Sequence, residues 1–236
     1  MQIIKMRKDL EIIKNIVPNY AKVLDIGCGN GDLLLTLQKE KKILAMGLEI
    51  SNSKVTRAVS NGISVIHGDA DNDLHDYPTD SMDFAILSQT LQATRDPKEV
   101  IAQMLRIAKY AIISVPNFGF ILNRLYLGFK GRMPVTKKLP YEWYNTPNIH
   151  FCTIRDFELL VDDLACRIEK KYFIYDGMFS FMQNLNMSLG ANLLAPNAVF
   201  LITKAQQVNN HLQNNPIRKM NIESNIVLAQ SNANKV

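Results

Sequence analysis

A chain of 236 residues, 47% of them hydrophobic, can bury one substantial core and is short for two full-sized domains. Its 27 Lys and Arg stand against 22 Asp and Glu, a net charge of +5 that is too mild for a nucleic-acid-binding arm. Three cysteines, Cys28, Cys152 and Cys166, show no CxxC spacing, which argues against a zinc knot or a thiol-exchange motif and for a reducing compartment.

At the amino terminus, Lys5, Arg7, Lys8, Asp9, Glu11 and Lys14 interrupt the apolar residues, so no signal-peptide core forms and a cytoplasmic location is expected. Leu10, Ile13, Ile16 and Val17 recur at helical spacing and predict an amphipathic helix ended by Pro18. Short apolar runs then alternate with helical patterns: strand 22–26, helix 32–39, strand 44–50, helix 53–60, strand 64–67. Strand 83–87, helix 97–107 with Pro97 in its first turn, and strand 111–115 continue the alternation. Runs such as Ala111-Ile112-Ile113 leave no polar face, so helices must cover both sides of the sheet. Residues 117–151, rich in Gly, Pro and aromatics, read as an insert over the sheet edge, followed by a helix at 155–164. The most apolar part of the insert, 118–129, is broken by Asn123 and Arg124. It falls short of the ~20 apolar residues that cross a bilayer, so no stable membrane association is expected. Two last strands, about 168–175 and 198–203, flank a Met- and Asn-rich stretch without a clear pattern. The expected fold is α/β, a doubly wound, mostly parallel, seven-stranded sheet in one domain over 1–205. Gln and Asn dominate residues 206–236, which read as a disordered polar tail.

The most informative run is Val23-Leu24-Asp25-Ile26-Gly27-Cys28-Gly29-Asn30-Gly31, an apolar strand leading through three glycines into a helix. Gly27, Gly29 and Gly31 allow a sharp turn and a close approach of backbone to a bound nucleoside. A nicotinamide or flavin dinucleotide would ask for Gly at position 32, which is Asp32. Asp25 would also repel a pyrophosphate on the helix amino terminus, yet it suits the ammonium and sulfonium of S-adenosylmethionine (SAM). Glu49, about 20 residues on, is placed to accept the ribose hydroxyls, and Asp69 to meet the adenine amino group. Ser88 and Gln89 follow the fourth strand onto the cleft floor. Cys28 reads as a small filler of the loop.

Methyl transfer from a sulfonium needs little acid or base help, so the lack of an identifiable base does not exclude it. No Asn-Pro-Pro-aromatic or Pro-Cys run follows the fourth strand, which argues against nucleic-acid base methylation. The insert carries Arg124, Lys130, Arg132, Lys137 and Lys138 with no acid among them, then Tyr141, Trp143, Tyr144 and His150. Arg132, Tyr141, Trp143, Tyr144 and His150 are the candidate partner or lid residues. The histidines His67, His75, His150 and His211 lack metal-ligand spacing, and no metal is expected.

Leu87-Ser88-Gln89-Thr90-Leu91-Gln92, Pro116-Asn117-Phe118-Gly119, Gly131-Arg132-Met133-Pro134-Val135-Thr136 and the block from Leu139-Pro140-Tyr141-Glu142-Trp143-Tyr144 to Asn148-Ile149-His150 resemble the MetW family of methionine-biosynthesis proteins over about residues 18–203. The resemblance implies the fold of a class I SAM methyltransferase, with Asp25, Gly27, Gly29, Gly31, Glu49 and Asp69 at the cofactor. It further implies work beside a MetX-type homoserine O-acyltransferase, with the insert as docking face and the SAM cleft as a sensor. A methyltransferase acting on a small molecule or protein is the alternative. The chain departs from the family pattern at Ser51, where an acid is usual, and around Phe120, where His-Trp or Tyr-Trp is expected.

Overall fold

The computed structural model describes residues 6–136, 139–175, 180 and 190–205. The Met- and Asn-rich stretch lies mostly outside these residues, as do Lys137, Lys138 and the polar tail. Strands β1 (Lys22–Ile26), β2 (Leu44–Glu49), β3 (Val65–His67), β4 (Met82–Ser88), β5 (Ala108–Pro116), β6 (Cys166–Ile174) and β7 (Asn197–Lys204) form one sheet in the order β3-β2-β1-β4-β5-β7-β6. The pairs β1/β2, β1/β4, β2/β3 and β4/β5 are parallel, and β7 runs antiparallel to β5. The chain winds outward from β1 to β3, then returns to β4 on the other side of β1. The carboxyl ends of β1 and β4 therefore form the switch point, where a doubly wound sheet opens a crevice.

Seven helices are described: α1 (Lys8–Ile16), α2 (Asp32–Lys41), α3 (Asn52–Ser60), α4 (Pro97–Ile107), α5 (Ile121–Lys130), α6 (Ile154–Asp163) and α7 (Ala191–Leu194). Side-chain alternation along the strands divides the core between the two faces. Leu24, Ile26, Leu87, Ile113 and Val115 pack with α4 and α6 through Ile101, Met104, Phe157 and Val161. Val23, Ile86, Ile112 and Val199 point the other way, onto Ile13 of α1 and Leu33, Leu34 and Leu37 of α2. Ile13 and Leu34 are fully buried, and each such side chain contributes about 1.5–3 kcal/mol. Asp96 caps α4 by accepting from Glu99 N–H at 3.1 Å, with Pro97 in the first turn. Thr153 and Asp156 form a reciprocal capping box at α6.

The ends of the insert are anchored by backbone hydrogen bonds. The Ile149 and His150 N–H groups both donate to the Gln92 carbonyl, at 2.8 and 3.0 Å, and Phe118 N–H donates to Cys152 O at 3.0 Å. The first two bonds tie the carboxyl end of the insert to the loop after β4, a central strand, and the third joins the two ends of the insert.

Candidate functional site

Asp25 sits one residue before the end of β1, in register with Gly47 of β2 and Ile86 of β4. It is only 3% exposed, and its Oδ1 has no hydrogen-bond partner among the described residues. Burial pushes its carboxyl up to about 7; Arg7 opposes the rise and Glu49 adds to it. A buried carboxyl left without donors is costly, which marks a group retained for something other than stability.

Gly27, Gly29 and Gly31 all take positive φ, at 71°, 60° and 79°. At Gly27 a Cβ would lie 2.7 Å from Thr90 Oγ1, so the loop after β4 requires glycine there. At Gly29 a Cβ would meet nothing within 4 Å, so this bare stretch of backbone is open to a ligand. Cys28 tucks between the glycines, and burial pushes its thiol up to about 12, a packed and unreactive state.

Glu49 ends β2 and is 4% exposed. Its Oε2 accepts from Gly29 N–H at 2.8 Å and its Oε1 from Ser51 N–H at 3.0 Å, while Lys54 Nζ stands 3.8 Å away. The carboxylate thus clamps the glycine turn, and each oxygen keeps a second lone pair for a ligand hydroxyl. Ser51, one of the positions that departs from the family pattern, uses its backbone in this clamp and not its side chain.

Asp69 is more engaged than its spacing implied. Its Oδ2 meets Arg95 Nη2 at 2.8 Å and Asn72 Nδ2 at 3.0 Å. Arg95 is also drawn in by Asp71, which accepts from the Arg95 and Asp96 N–H groups at 2.9 and 3.1 Å. Burial raises the Asp71 carboxyl, but these donors and the Arg95 guanidinium outweigh it and hold the group below the usual range. Any adenine contact from Asp69 therefore shares its carboxylate with Arg95.

Ser88 and Gln89 stand at the carboxyl end of β4, where the Ser88 hydroxyl and the Gln89 backbone N–H and carbonyl make hydrogen bonds within the protein. Ser88 Oγ donates to Asp9 Oδ2 at 3.0 Å and lies 2.6 Å from Arg7 Nη2. Gln89, at φ 54°, donates its N–H to Ser114 and accepts from Gln92 Nε2 at 2.7 Å. Arg7 and Asp9 escaped the sequence reading because their partners lie far along the chain. Asp9 is 3% exposed and also accepts from Ser114 Oγ at 3.0 Å. The available signal was an acid in the first turn of an amphipathic helix that otherwise packs on the sheet.

Of the partner or lid candidates, Tyr141, Trp143 and Tyr144 come together. Trp143 and Tyr144 are about 70% exposed and meet edge to face, with ring centroids 5.7 Å apart. Tyr141 is half-exposed and, with Trp143, Phe118, Met133, Leu139 and Phe151, lines a shallow apolar pocket. Arg132 is exposed beside it in sequence, and His150 Nε2 reaches Arg95 O at 3.4 Å. Among the described residues no group of three metal-ligating side chains forms, and no helix is long and apolar enough to cross a membrane.

Strand order, glycine turn and acids at the strand ends define a class I SAM methyltransferase fold. Solved structures of the same fold include a SAM-dependent methyltransferase from Thermotoga maritima (TM-score 0.58, 21% identity, covering 83% of this chain and 87% of that one). Another is the SAM-dependent methyltransferase from Mesorhizobium loti (TM-score 0.60, 14% identity, covering 82% and 96%). Residues 7–202 match the family "Methionine biosynthesis protein MetW", and the chain belongs to that family. A relative in Rhodopirellula baltica, the bifunctional methionine biosynthesis protein MetXA/MetW, is 34% identical over 179 residues, or 72% of this chain. The matched region spans 29% of that longer protein.

Proposed function

We propose that this protein binds SAM at the β1/β4 switch point and works with a MetX-type homoserine O-acyltransferase, docking through the insert and raising that enzyme's output in response to the bound nucleoside. For the nucleoside, the carrying observation is Asp25, whose oxygen is buried without a hydrogen-bond partner among the described residues near the end of β1, the strand that leads into the open turn at Gly29. A carboxyl in that position is matched by a cation and mismatched by a pyrophosphate. Glu49 would take the ribose, Asp69 would lie toward the base, and the Gly27–Gly31 turn would give room for the chain to close on the nucleoside. When bound, SAM supplies an electrophilic methyl on a sulfonium.

For the partner, support comes from the Rhodopirellula protein, whose name joins MetXA and MetW in one chain. Fusion of two activities keeps them at high effective concentration, as a working complex would. The surface suited to the role is the exposed pair Trp143 and Tyr144 with Arg132, the residue types that dominate interface energetics. The insert is bonded to the loop that follows β4, which offers a physical link between docking and nucleoside binding.

The test is co-purification with the acyltransferase, followed by SAM titration with and without that enzyme. Coupling predicts that the acyltransferase changes SAM affinity and that SAM changes acyltransferase affinity by the same factor. Failure to associate, with unchanged acyltransferase output, would remove the partner half of the reading. A second reading, true methyl transfer, is favoured by the SAM-dependent methyltransferases that share the fold. It predicts S-adenosylhomocysteine formation in the presence of cell extract, lost in Glu49→Ala.

A further inference from the structure

Arg7 and Asp9 form a built polar arrangement at the rim that the nucleoside reading leaves unused. Asp9 is buried on α1 and is held from the sheet by two hydroxyls, Ser88 Oγ and Ser114 Oγ, each 3.0 Å from its Oδ2. It grips Arg7 as a fork, with Nε on Oδ1 at 3.1 Å and Nη2 on Oδ2 at 3.0 Å. The guanidinium is thereby fixed 2.6 Å from Ser88 Oγ, at the carboxyl end of β4. Leu87, the residue before Ser88, pairs with Ile26, the residue after Asp25, so the guanidinium stands at the same rim as the turn at Gly27. Arg7 Nη1 has no partner among the described residues, and 51% of the side chain is exposed.

We propose that Arg7 binds the α-carboxylate of the methionyl end of SAM, so that Arg7 and Asp25 together read an amino-acid zwitterion, with Asp9 as the residue that positions Arg7. The proposal rests on the SAM reading above and adds to it the recognition of the ligand's far end. The charges require such a group. An α-amino acid brings a carboxylate along with its ammonium, and the rim already holds Asp9, Asp25 and Glu49, all nearly buried. Without a cation, the ligand carboxylate would face like charge in a partly desolvated site. Lys54 is 54% exposed and stands beside Glu49, at the ribose end, whereas Arg7 is the cation whose charge is felt at Asp25. A guanidinium held at one edge by a carboxylate keeps its remaining N–H groups in a fixed plane suited to a second carboxylate. The fork on Asp9 and the contact with Ser88 occupy Nε and Nη2 of Arg7 and leave Nη1 for a ligand.

The test compares SAM with decarboxylated SAM, which keeps the ammonium and sulfonium and lacks only the carboxylate, by calorimetric titration of the full chain. Wild-type protein is expected to prefer SAM by about 10- to 100-fold, the worth of a charge-assisted hydrogen-bonded pair. In Arg7→Ala that preference should collapse to within about threefold, and Arg7→Lys should retain part of it because the charge remains without the fork. Arg7 lies half in solvent, and melting curves of both variants report whether the fold survives. An unchanged preference in Arg7→Ala, or a wild type indifferent to the carboxylate, would overturn the assignment while leaving the SAM reading intact. Wild-type protein that takes up neither compound would remove the SAM reading and this proposal with it.

Discussion

Replacing Asp25 by Asn should stabilise the protein at neutral and alkaline pH while weakening its hold on SAM. The carboxyl is raised from 3.8 to about 7 in the folded state, chiefly by burial. A group with a raised folded pKa contributes stability that is fully present below its unfolded value and is lost as pH rises through its folded value. Here the loss accrues between about pH 4 and pH 7 and then levels off. Three pH units correspond to about 4 kcal/mol, an upper figure because the buried site can relax or admit water. Asn removes this charge but leaves an amide to be desolvated without donors or acceptors, costing about 1–3 kcal/mol at every pH. The net expectation is a variant about 1–3 kcal/mol more stable than wild type at pH 8 and no more stable at pH 4.5. Urea unfolding at several pH values measures this, and subtracting the two proteins cancels groups such as Asp71 and Asp83, which are shifted the opposite way. A stability difference that does not grow with pH would refute the reasoning.

The same carboxyl governs binding, since a cation prefers the ionised form: SAM affinity in the wild type should fall by up to about tenfold per unit as pH drops below 7, and Asp25→Asn should flatten that slope in titrations between pH 5.5 and 8. Glycine substitutions should separate fold from site. Gly27→Ala forces a Cβ to 2.7 Å from Thr90 Oγ1 and should cost roughly 2 kcal/mol or more in denaturant unfolding. Gly29→Ala meets open space, so it should cost only about 1 kcal/mol from its positive φ yet greatly weaken SAM binding. The double substitution Trp143→Ala with Arg132→Ala should leave melting within about 2 °C because both side chains are exposed, and should abolish co-purification with the acyltransferase.

The alternation of strands and helices was legible because parallel strands buried on both faces leave continuous apolar runs. Boundaries moved where that signal is broken. β5 begins at Ala108, directly after α4, although Lys109 and Tyr110 are solvent-facing and hide its start. Helix α5 sat inside what read as irregular insert, since Gly119, Gly128 and Gly131 mask a short amphipathic pattern that leaves Leu122, Leu125 and Phe129 exposed. The glycine turn and its acids stood out because each falls at a strand end, within one local pattern. Arg7, Asp9 and Arg95 did not, because their roles arise only from contacts such as Asp9 with Ser114, 105 residues apart, which no local spacing encodes. The engagement of Asp69 by Arg95 is hidden for the same reason.

The most direct test is parallel calorimetric titration of the purified chain with SAM and with NAD. A preference for a cationic nucleoside predicts uptake of one SAM per chain, severely weakened in Glu49→Ala, and no measurable heat from NAD. Uptake of NAD by a protein that ignores SAM would contradict the account.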